Sequence, residues 1–316
     1  MSKLSNATTK ILVVGIGGVG GYYGGLLSKY AEDKDDLAVC FLARGAHLKA
    51  IQTQGLKVTD EHQSFITHPS LATDNINEIG HADYVIIATK SYGLEDVLQQ
   101  IKPIITPTTV ILPLLNGVDI TDRIRKFYPN NEVWYGCVYI ITRITAPGVI
   151  EDTGNVHFMH FGHEKAKSKE LLFIENLFTK AGIEAELKAN AKKAVWRKFF
   201  FISTTAALTT YLNCDFASLV NDADKRPMYL AIMQELFDIS VAENAGLRDS
   251  LVQELMDYGA SLPAGKTSSM NSDWLAGNPI ELDTLVGVVV EMGKKHQIPT
   301  PVYSKIYDFL QTTQRS

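Results

Sequence analysis

The sequence lacks the features that would tie it to a membrane, a nucleic acid or an oxidising compartment. It has three cysteines in 316 residues, and their odd number and wide spacing argue against a disulfide framework, so we expect a reducing, cytoplasmic setting. No apolar run approaches the roughly 18 residues that span a bilayer, and the polar stretch at residues 1–10 is unlike a signal peptide. No long basic run accompanies the net charge of −5, which gives nucleic-acid binding little support. Neither HxxxH nor a Cys/His cluster occurs, so we expect no metal site.

The order of the remaining patterns predicts two domains. The apolar fraction of 46% and the length are typical of a globular protein of about two domains. Short apolar runs alternate with helical stretches in the first half, as in a parallel sheet covered on both faces; the runs are residues 10–14, 38–42, 84–88 and 110–115. Four helical stretches follow, at 191–212, 226–245, 250–261 and 281–296. We therefore predict an α/β domain at 1–189 and an all-helical domain at 190–316.

A glycine-rich stretch follows the first apolar run. Seven of the eleven residues in GIGGVGGYYGG are glycine, although glycine inside a helix costs about 1 kcal/mol relative to alanine. Gly15, Gly17 and Gly20 fit GxGxxG, whose glycines make a tight turn, admit a pyrophosphate and let helix and strand pack closely. Gly18 and Val19 lie at the predicted helix N-terminus, where free N–H groups face a phosphate. The position between strand and helix favours a dinucleotide-binding loop over a purely structural glycine turn.

Residues after the later strands indicate which dinucleotide binds. NAD-binding sheets usually end the second strand with Asp or Glu, which holds the ribose 2′-hydroxyl. Here Arg44 follows that strand, and its planar cation can grip a 2′-phosphate, so NADP is favoured over NAD. The alternative is a solvated arginine at a helix start. Lys90 and Asn116 follow the next two strands and are candidates for cofactor or substrate contacts, although each alone could be a surface lysine or a turn asparagine.

Taken together, these motifs resemble the ketopantoate reductase (2-dehydropantoate 2-reductase) family. The blocks that carry the likeness run from residue 10 to about residue 310: GIGGVG, FLARGAHL, ATKSY, LPLLNGVD, APGVIEDTG, VWRK, SSMNSD, IELD and IPTPVY. The resemblance implies an NADP-binding Rossmann domain, with a doubly wound sheet, followed by a helical substrate and catalytic domain. It also implies NADPH-dependent reduction of a 2-keto acid to a 2-hydroxy acid, the ketopantoate step of pantothenate biosynthesis.

The resemblance assigns roles to single residues. The family's general-acid lysine corresponds to Lys198. The family's glutamate, which belongs to both the catalytic and the cofactor-binding residues, corresponds to Glu281. The serine that binds the substrate carboxylate corresponds to Ser269, and the asparagine of the LLNG motif, placed on substrate and nicotinamide, to Asn116. A lysine suits the acid role because an ammonium can stabilise an alkoxide and deliver its proton.

Several of these residues have simpler explanations. Ser269 could be a surface hydroxyl. Lys198 could be an exposed lysine beside Arg197. Glu281 could be the third residue of a helix that Asn278 caps and Pro279 opens, an arrangement close to a capping box. The explanation for Lys198 competes with a catalytic role, whereas the one for Glu281 is compatible with such a role.

The chain departs from the family where asparagines usually bind the substrate. Those positions, four and eight residues after the lysine and ten residues further, hold Ile202, Ala206 and Phe216. The first two share a helix face with Lys198, so we expect a less polar pocket. Ser203 and Thr204 are expected to point elsewhere.

Three functions stay open at this point. The first is an NADPH-dependent 2-keto acid reductase, acting on ketopantoate or on a more apolar 2-keto acid. The second is a catalytically silent NADP-binding sensor, which the lost asparagines favour and the retained Lys198, Ser269 and Glu281 oppose. The third, an opine-type dehydrogenase, would need a histidine base that no constellation supplies. The oligomeric state is open too, although apolar helices in the second domain would suit a homodimer.

Overall fold

The computed structural model describes residues 8–164 and 168–314. They divide into two compact units. The N-terminal unit holds the residues up to Leu115 with Ile120–Ala191, and the C-terminal unit holds Asn116–Asp119 with the residues from Lys192 onward. The division differs from a single cut after residue 189, because Asn116–Asp119 group with the helical part of the chain. No helix within the described ranges is long and apolar enough to cross a bilayer.

The N-terminal unit contains strands and helices in alternation. Its strands are β1 (Thr9–Val14), β2 (Leu37–Leu42), β3 (Leu56–Thr59), β4 (Ser64–Thr67), β5 (Leu71–Thr73), β6 (Tyr84–Ile87), β7 (Val110–Pro113), β8 (Glu132–Val133), β9 (Tyr135–Ala146), β10 (Val149–Gly162) and β11 (Ala185–Lys188). Its helices are α1 (Gly18–Ala31), α2 (Gly45–Gln54), α3 (Leu94–Ile101), α4 (Ile120–Phe127) and α5 (Lys169–Lys180).

Six strands form a parallel sheet in the order β5-β2-β1-β6-β7-β8. The four apolar runs predicted as strands are β1, β2, β6 and β7, so the expected α/β fold with a Rossmann-type sheet is confirmed. The strand order reverses between β1 and β6. Open α/β sheets bind ligands at such a switch point, beyond the carboxyl ends of the strands.

Both faces of this sheet are buried, which explains the continuous apolar runs in its central strands. Ile11 and Val13 of β1 pack in one hydrophobic cluster together with α1. Leu12 and Val14 pack in a second cluster together with α3. Because successive side chains of a strand point to opposite faces, a strand covered on both sides needs an unbroken apolar run.

A second sheet packs against the other side of α1. Its order is β11-β10-β3-β4, and β9 pairs with β10. The β9–β10 pairing is antiparallel and shifts register between Asp152 and His157. The backbone of α1 lies directly against side chains of this sheet. A Cβ on Gly21 would lie 2.6 Å from Ile150 Cγ1, and one on Gly25 would lie 2.6 Å from Val58 Cγ2. The glycines beyond the GxGxxG motif therefore serve close packing.

The remaining helices follow β11. They are α6 (Ala191–Leu212), α7 (Phe216–Asn221), α8 (Arg226–Ala242), α9 (Leu251–Ser261), α10 (Ser269–Leu275), α11 (Val288–His296) and α12 (Pro301–Gln314), with a π-helix at Asp283–Gly287 directly before α11. The long helix α6 was predicted with these bounds. The helix predicted over 281–296 instead begins after Glu281 and starts with the π turn.

Candidate functional site

The loop between β1 and α1 has a shape that only glycine permits at two positions. Gly15 has φ +86°, and a Cβ there would lie 2.5 Å from Thr89 Cγ2. A Cβ on Gly20 would lie 2.1 Å from the Gly15 carbonyl oxygen. The first glycine therefore makes the turn, and the third lets α1 pack tightly against it.

The second glycine of the motif borders open space. Gly17 is the N-cap of α1, and apart from its own chain neighbours no atom of residues 8–164 and 168–314 lies within 4 Å of the position a Cβ would take. No side chain caps this helix end and its first turn, which includes Val19, has no acidic residue. The amide groups and the positive end of the helix dipole can therefore meet an anion. The loop fits a dinucleotide pyrophosphate.

Thr142 is a neighbour of this loop that the sequence did not reveal. Its carbonyl oxygen lies 2.5 Å, and its hydroxyl oxygen 2.7 Å, from the position of a Cβ on Gly18. The hydroxyl is buried and has no hydrogen-bond partner in the described part of the chain. Thr142 lies on β9, far from the motif along the chain, so no local pattern connects the two.

Two basic residues follow strands of the same sheet. Arg44 comes after β2, is exposed, and occupies the N-cap position of α2. The end of β2 lies beside the glycine loop, because the Gly15 N–H donates to the Leu42 carbonyl over 3.2 Å. Lys90 is also exposed and follows Thr89, the residue that packs against Gly15. The loop and the ends of β2 and β6 therefore lie at one edge of the sheet.

A partly buried histidine, His47, lies on α2 three residues after Arg44. The Gly148 N–H donates to His47 Nδ1 over 2.9 Å, which joins α2 to the turn between β9 and β10. Burial lowers the pKa of His47, although a hydrogen bond with the Ile16 backbone opposes the shift. The imidazole is therefore held in its neutral form, with Nδ1 as acceptor.

The C-terminal unit joins two of the predicted site residues directly. Lys198, on α6, donates from Nζ to Asn116 Oδ1 over 2.7 Å, and the pair is partly buried. Asn116 is the first residue of the segment Asn116–Asp119, and two residues separate it from the end of β7. The next residue, Gly117, has φ +126°. This contact, between residues 82 positions apart, helps explain why Asn116–Asp119 group with the helical unit.

Glu281 is buried, with 7% of its surface exposed. It comes immediately before the helical segment that contains the π turn, and the Leu285 N–H donates to its carbonyl over 3.0 Å. The predicted cap at Asn278 is wrong, because that residue lies outside the helix and its backbone N–H donates to the Asp273 carbonyl.

Ser269 is exposed at the first position of α10. The cap of this helix is Ser268, whose hydroxyl oxygen accepts from the Asn271 N–H over 3.1 Å and lies 2.8 Å from Thr209 Oγ1. Because Thr209 belongs to α6, the two hydroxyls tie the start of α10 to the helix that carries Lys198.

The three positions where the family resemblance leads us to expect asparagine hold apolar side chains. Ile202 is partly buried, Ala206 is buried, and the ring of Phe216 lies 5.9 Å from that of Phe201. The Ser203 hydroxyl donates to the Leu285 carbonyl, and the Thr204 hydroxyl donates to the Phe200 carbonyl. Neither hydroxyl takes the place of a lost amide.

Within residues 8–164 and 168–314, no three His, Cys, Asp or Glu side chains are placed to hold a metal ion. The three cysteines are free thiols.

Two family models match the sequence. The model for ketopantoate reductase PanE/ApbA matches residues 11–165, and the model for the ketopantoate reductase PanE/ApbA C-terminal region matches residues 190–314.

Similar proteins match over nearly their whole length. The uncharacterized oxidoreductase YkpB of Bacillus subtilis is 29% identical over 96% of this chain and 98% of its own. A 2-dehydropantoate 2-reductase of Mesorhizobium japonicum is 26% identical over 94% of this chain and 95% of its own. The crystal structure of 2-dehydropantoate 2-reductase from Porphyromonas gingivalis superposes with a TM-score of 0.85 at 34% identity, covering 96% of this chain and 99% of that one.

Proposed function

This chain belongs to the ketopantoate reductase family and is an oxidoreductase, and we propose that it reduces a 2-keto acid to the 2-hydroxy acid with NADPH. The first candidate substrate is 2-dehydropantoate, whose reduction to pantoate belongs to pantothenate biosynthesis. The observation that carries the proposal is the hydrogen bond between Lys198 and Asn116. It holds in place the ammonium group of the lysine that the family resemblance assigns as the proton donor.

NADPH, when bound, supplies the hydride. The residues that would hold it are Gly15, Gly17, Gly18, Val19 and Gly20. The open space beside Gly17 and the uncapped start of α1 support a pyrophosphate there.

Arg44 would select the phosphorylated cofactor. Its guanidinium is exposed at the carboxyl end of β2, and a guanidinium can bond two oxygens of a 2′-phosphate at once. No Asp or Glu stands at that place to hold a free 2′-hydroxyl. Lys90, exposed after β6, would add a second positive charge near the cofactor.

Lys198 would act as the general acid. Hydride addition to the keto carbon leaves negative charge on the carbonyl oxygen, and an ammonium placed there stabilises that charge and transfers a proton to it. The Asn116 amide oxygen accepts one Nζ–H and so restricts where the ammonium points. The lysine regains its proton from solvent, which balances the reaction as keto acid, NADPH and one proton giving hydroxy acid and NADP⁺.

Glu281 and Ser269 complete the proposed set. Glu281 would contact both cofactor and reacting groups, and Ser269 would bind the substrate carboxylate, as the family resemblance implies. The exposure of Ser269 at the start of α10 leaves its hydroxyl accessible to a ligand.

A second candidate substrate is a more apolar 2-keto acid. It is favoured by Ile202 and Ala206 on the Lys198 face of α6, since a substrate hydroxyl buried there without a partner would cost about 1–3 kcal/mol. A branched apolar side chain would carry no such cost.

The test is oxidation of NADPH, followed at 340 nm, with ketopantoate and a panel of branched and aromatic 2-keto acids. Turnover of at least one 2-keto acid, with NADPH used more efficiently than NADH, is expected. Arg44→Ala should lower the NADPH preference by roughly tenfold or more through the lost charge-assisted hydrogen bonds. Tight NADPH binding without any turnover would instead favour the sensor function.

The cysteines bear on the cellular compartment of the protein. Three free thiols suit a reducing cytoplasm. A homodimer is proposed as the assembly, and sedimentation velocity would test it.

A further inference from the structure

A chain of buried hydrogen bonds crosses the C-terminal unit. The Ser203 hydroxyl lies 2.6 Å from the Leu285 carbonyl oxygen and 2.7 Å from the Tyr303 hydroxyl. Ser203 and Tyr303 are fully buried. A carbonyl only accepts and the serine has one proton, so Ser203 donates to Leu285 and Tyr303 donates to Ser203. The direction of both hydrogen bonds is thus fixed.

Leu285 connects this series of hydrogen bonds to Glu281. Its N–H donates to the Glu281 carbonyl over 3.0 Å, while its own carbonyl accepts from Ser203. Leu285 lies inside the π-helix Asp283–Gly287. Such turns interrupt the regular helical ladder and depend on their surroundings for stability. One residue therefore joins the backbone of Glu281 to α6, the helix that carries Lys198.

The far end of the chain is anchored as well. The buried Glu235 carboxylate accepts from the backbone N–H groups of Val302 and Tyr303, over 2.8 and 3.1 Å, and so fixes the start of α12. Tyr307, one turn further along α12, donates to Asp283 Oδ1 over 2.7 Å. Helix α12 thus holds the π turn directly through Tyr307 and indirectly through Tyr303 and Ser203.

We propose that Ser203 and Tyr303 are positioning residues, which set Glu281 relative to α6 by fixing the Leu285 peptide of the π turn. This inference rests on the proposed function of Glu281 and Lys198. Neither hydroxyl needs to touch the substrate or the cofactor. Losing either one frees the π turn, so that Glu281 is held in several positions rather than one.

The experiment is a double-mutant cycle between Ser203→Ala and Glu281→Gln. If Ser203 acts through Glu281, Ser203→Ala lowers kcat by about tenfold in the wild-type background but has little further effect in Glu281→Gln. The same cycle is run on the dissociation constant of NADPH, which needs no turnover. Hydrogen–deuterium exchange of residues 282–290 should accelerate in Ser203→Ala.

Thr204→Val is the matched control. It removes a fully buried hydroxyl from the next position of α6, where that hydroxyl bonds to the Phe200 carbonyl of its own helix and to the Tyr229 side chain of α8 rather than to the π turn. It should leave kcat and the exchange of residues 282–290 at wild-type values. Tyr303→Phe, which keeps the ring and removes only the hydroxyl, replaces Ser203→Ala in the cycle if the alanine variant does not fold.

Additive effects of Ser203→Ala and Glu281→Gln, or exchange at 282–290 no faster than in Thr204→Val, would overturn the positioning role. A wild-type protein that reduces none of the 2-keto acids would refute the proposed function alone. In that case the NADPH cycle and the exchange rates still decide whether Ser203 positions Glu281.

Discussion

The two units present their candidate residues by opposite means. In the N-terminal unit the cofactor loop depends on missing side chains: Gly17 leaves space open, and Gly15 and Gly20 allow contacts that a Cβ would block. In the C-terminal unit Lys198 is partly buried and donates to Asn116, 82 positions away, while Glu281 is buried beside the π turn and Ser269 is exposed at the start of α10. The first arrangement is encoded within six consecutive residues, whereas the second exists only after the helices have packed.

The units also differ in how closely they follow the family pattern. The glycine motif and Arg44 are present in the first unit, whereas Ile202, Ala206 and Phe216 stand in the second unit where the family resemblance leads us to expect amides. A cofactor common to many substrates constrains one unit, and the substrate itself constrains the other. We therefore propose that this protein differs from its relatives in substrate rather than in cofactor.

Removing the ammonium should have the largest effect. We expect Lys198→Ala to lower kcat by about 10²- to 10⁴-fold, the usual contribution of a positioned general acid, and to leave the dissociation constant of NADPH within about threefold, given that threefold is under 1 kcal/mol. Steady-state kinetics and a fluorescence titration with NADPH measure the two quantities. Lys192→Ala is the control, because Lys192 lies on the same helix and donates to the Glu243 carbonyl.

An equal loss in Lys192→Ala would show that positive charge on α6, rather than the group held by Asn116, is what the reaction needs. If Lys198→Ala weakened NADPH binding as much as it lowered kcat, the assignment of cofactor binding to the first unit and of proton donation to the second would be contradicted.

Two glycine variants should separate binding from folding in the first unit. Gly17→Ala places its Cβ where, apart from its chain neighbours, no atom of the described residues lies within 4 Å, at an ordinary φ of −87°. We expect its melting temperature to stay near that of the wild type while NADPH binds roughly tenfold or more weakly. Gly20→Ala should lower the melting temperature instead, because its Cβ would lie 2.1 Å from the Gly15 carbonyl oxygen and overpacking costs about 1–3 kcal/mol or more. Wild-type NADPH affinity in Gly17→Ala would place the pyrophosphate elsewhere.

The same contrast explains how much of the molecule the sequence could predict. Four of the six strands of the parallel sheet followed from continuous apolar runs, and α6 followed from its helical pattern, because burial leaves a local pattern in the sequence. The short edge strands β5 and β8 were not predicted from such runs. The approach of Thr142 to Gly18 left none, since it depends on where β9 crosses the loop. The π turn was likewise missed, because the hydrogen bond that its carbonyl accepts comes from Ser203, 82 residues earlier in the chain.

Restoring one amide should change substrate preference modestly. Ile202→Asn puts a polar group four residues from Lys198 on the same helix face. We expect it to raise kcat/KM for ketopantoate relative to a branched apolar 2-keto acid by up to about tenfold, the value of one hydrogen bond to a substrate hydroxyl. Ile202→Val, which stays apolar, should keep the wild-type ratio. A wild-type enzyme that already strongly prefers ketopantoate would contradict the changed pocket.

The smallest effect concerns pH and belongs to the first unit. Burial lowers the pKa of His47 below its value of 6.5 in an unfolded chain, so below about pH 6.5 the unfolded state binds the proton more readily and the free energy of unfolding falls. His47→Asn keeps an acceptor for the Gly148 N–H without titrating, and it should reduce the loss of stability between pH 7.5 and pH 5.5 in urea unfolding. His81→Asn, at an exposed histidine, should leave the loss unchanged. Equal pH dependence in wild type and His47→Asn would mean that the imidazole can charge in place, and that α2 is held to the β9–β10 turn by packing rather than by the neutral histidine.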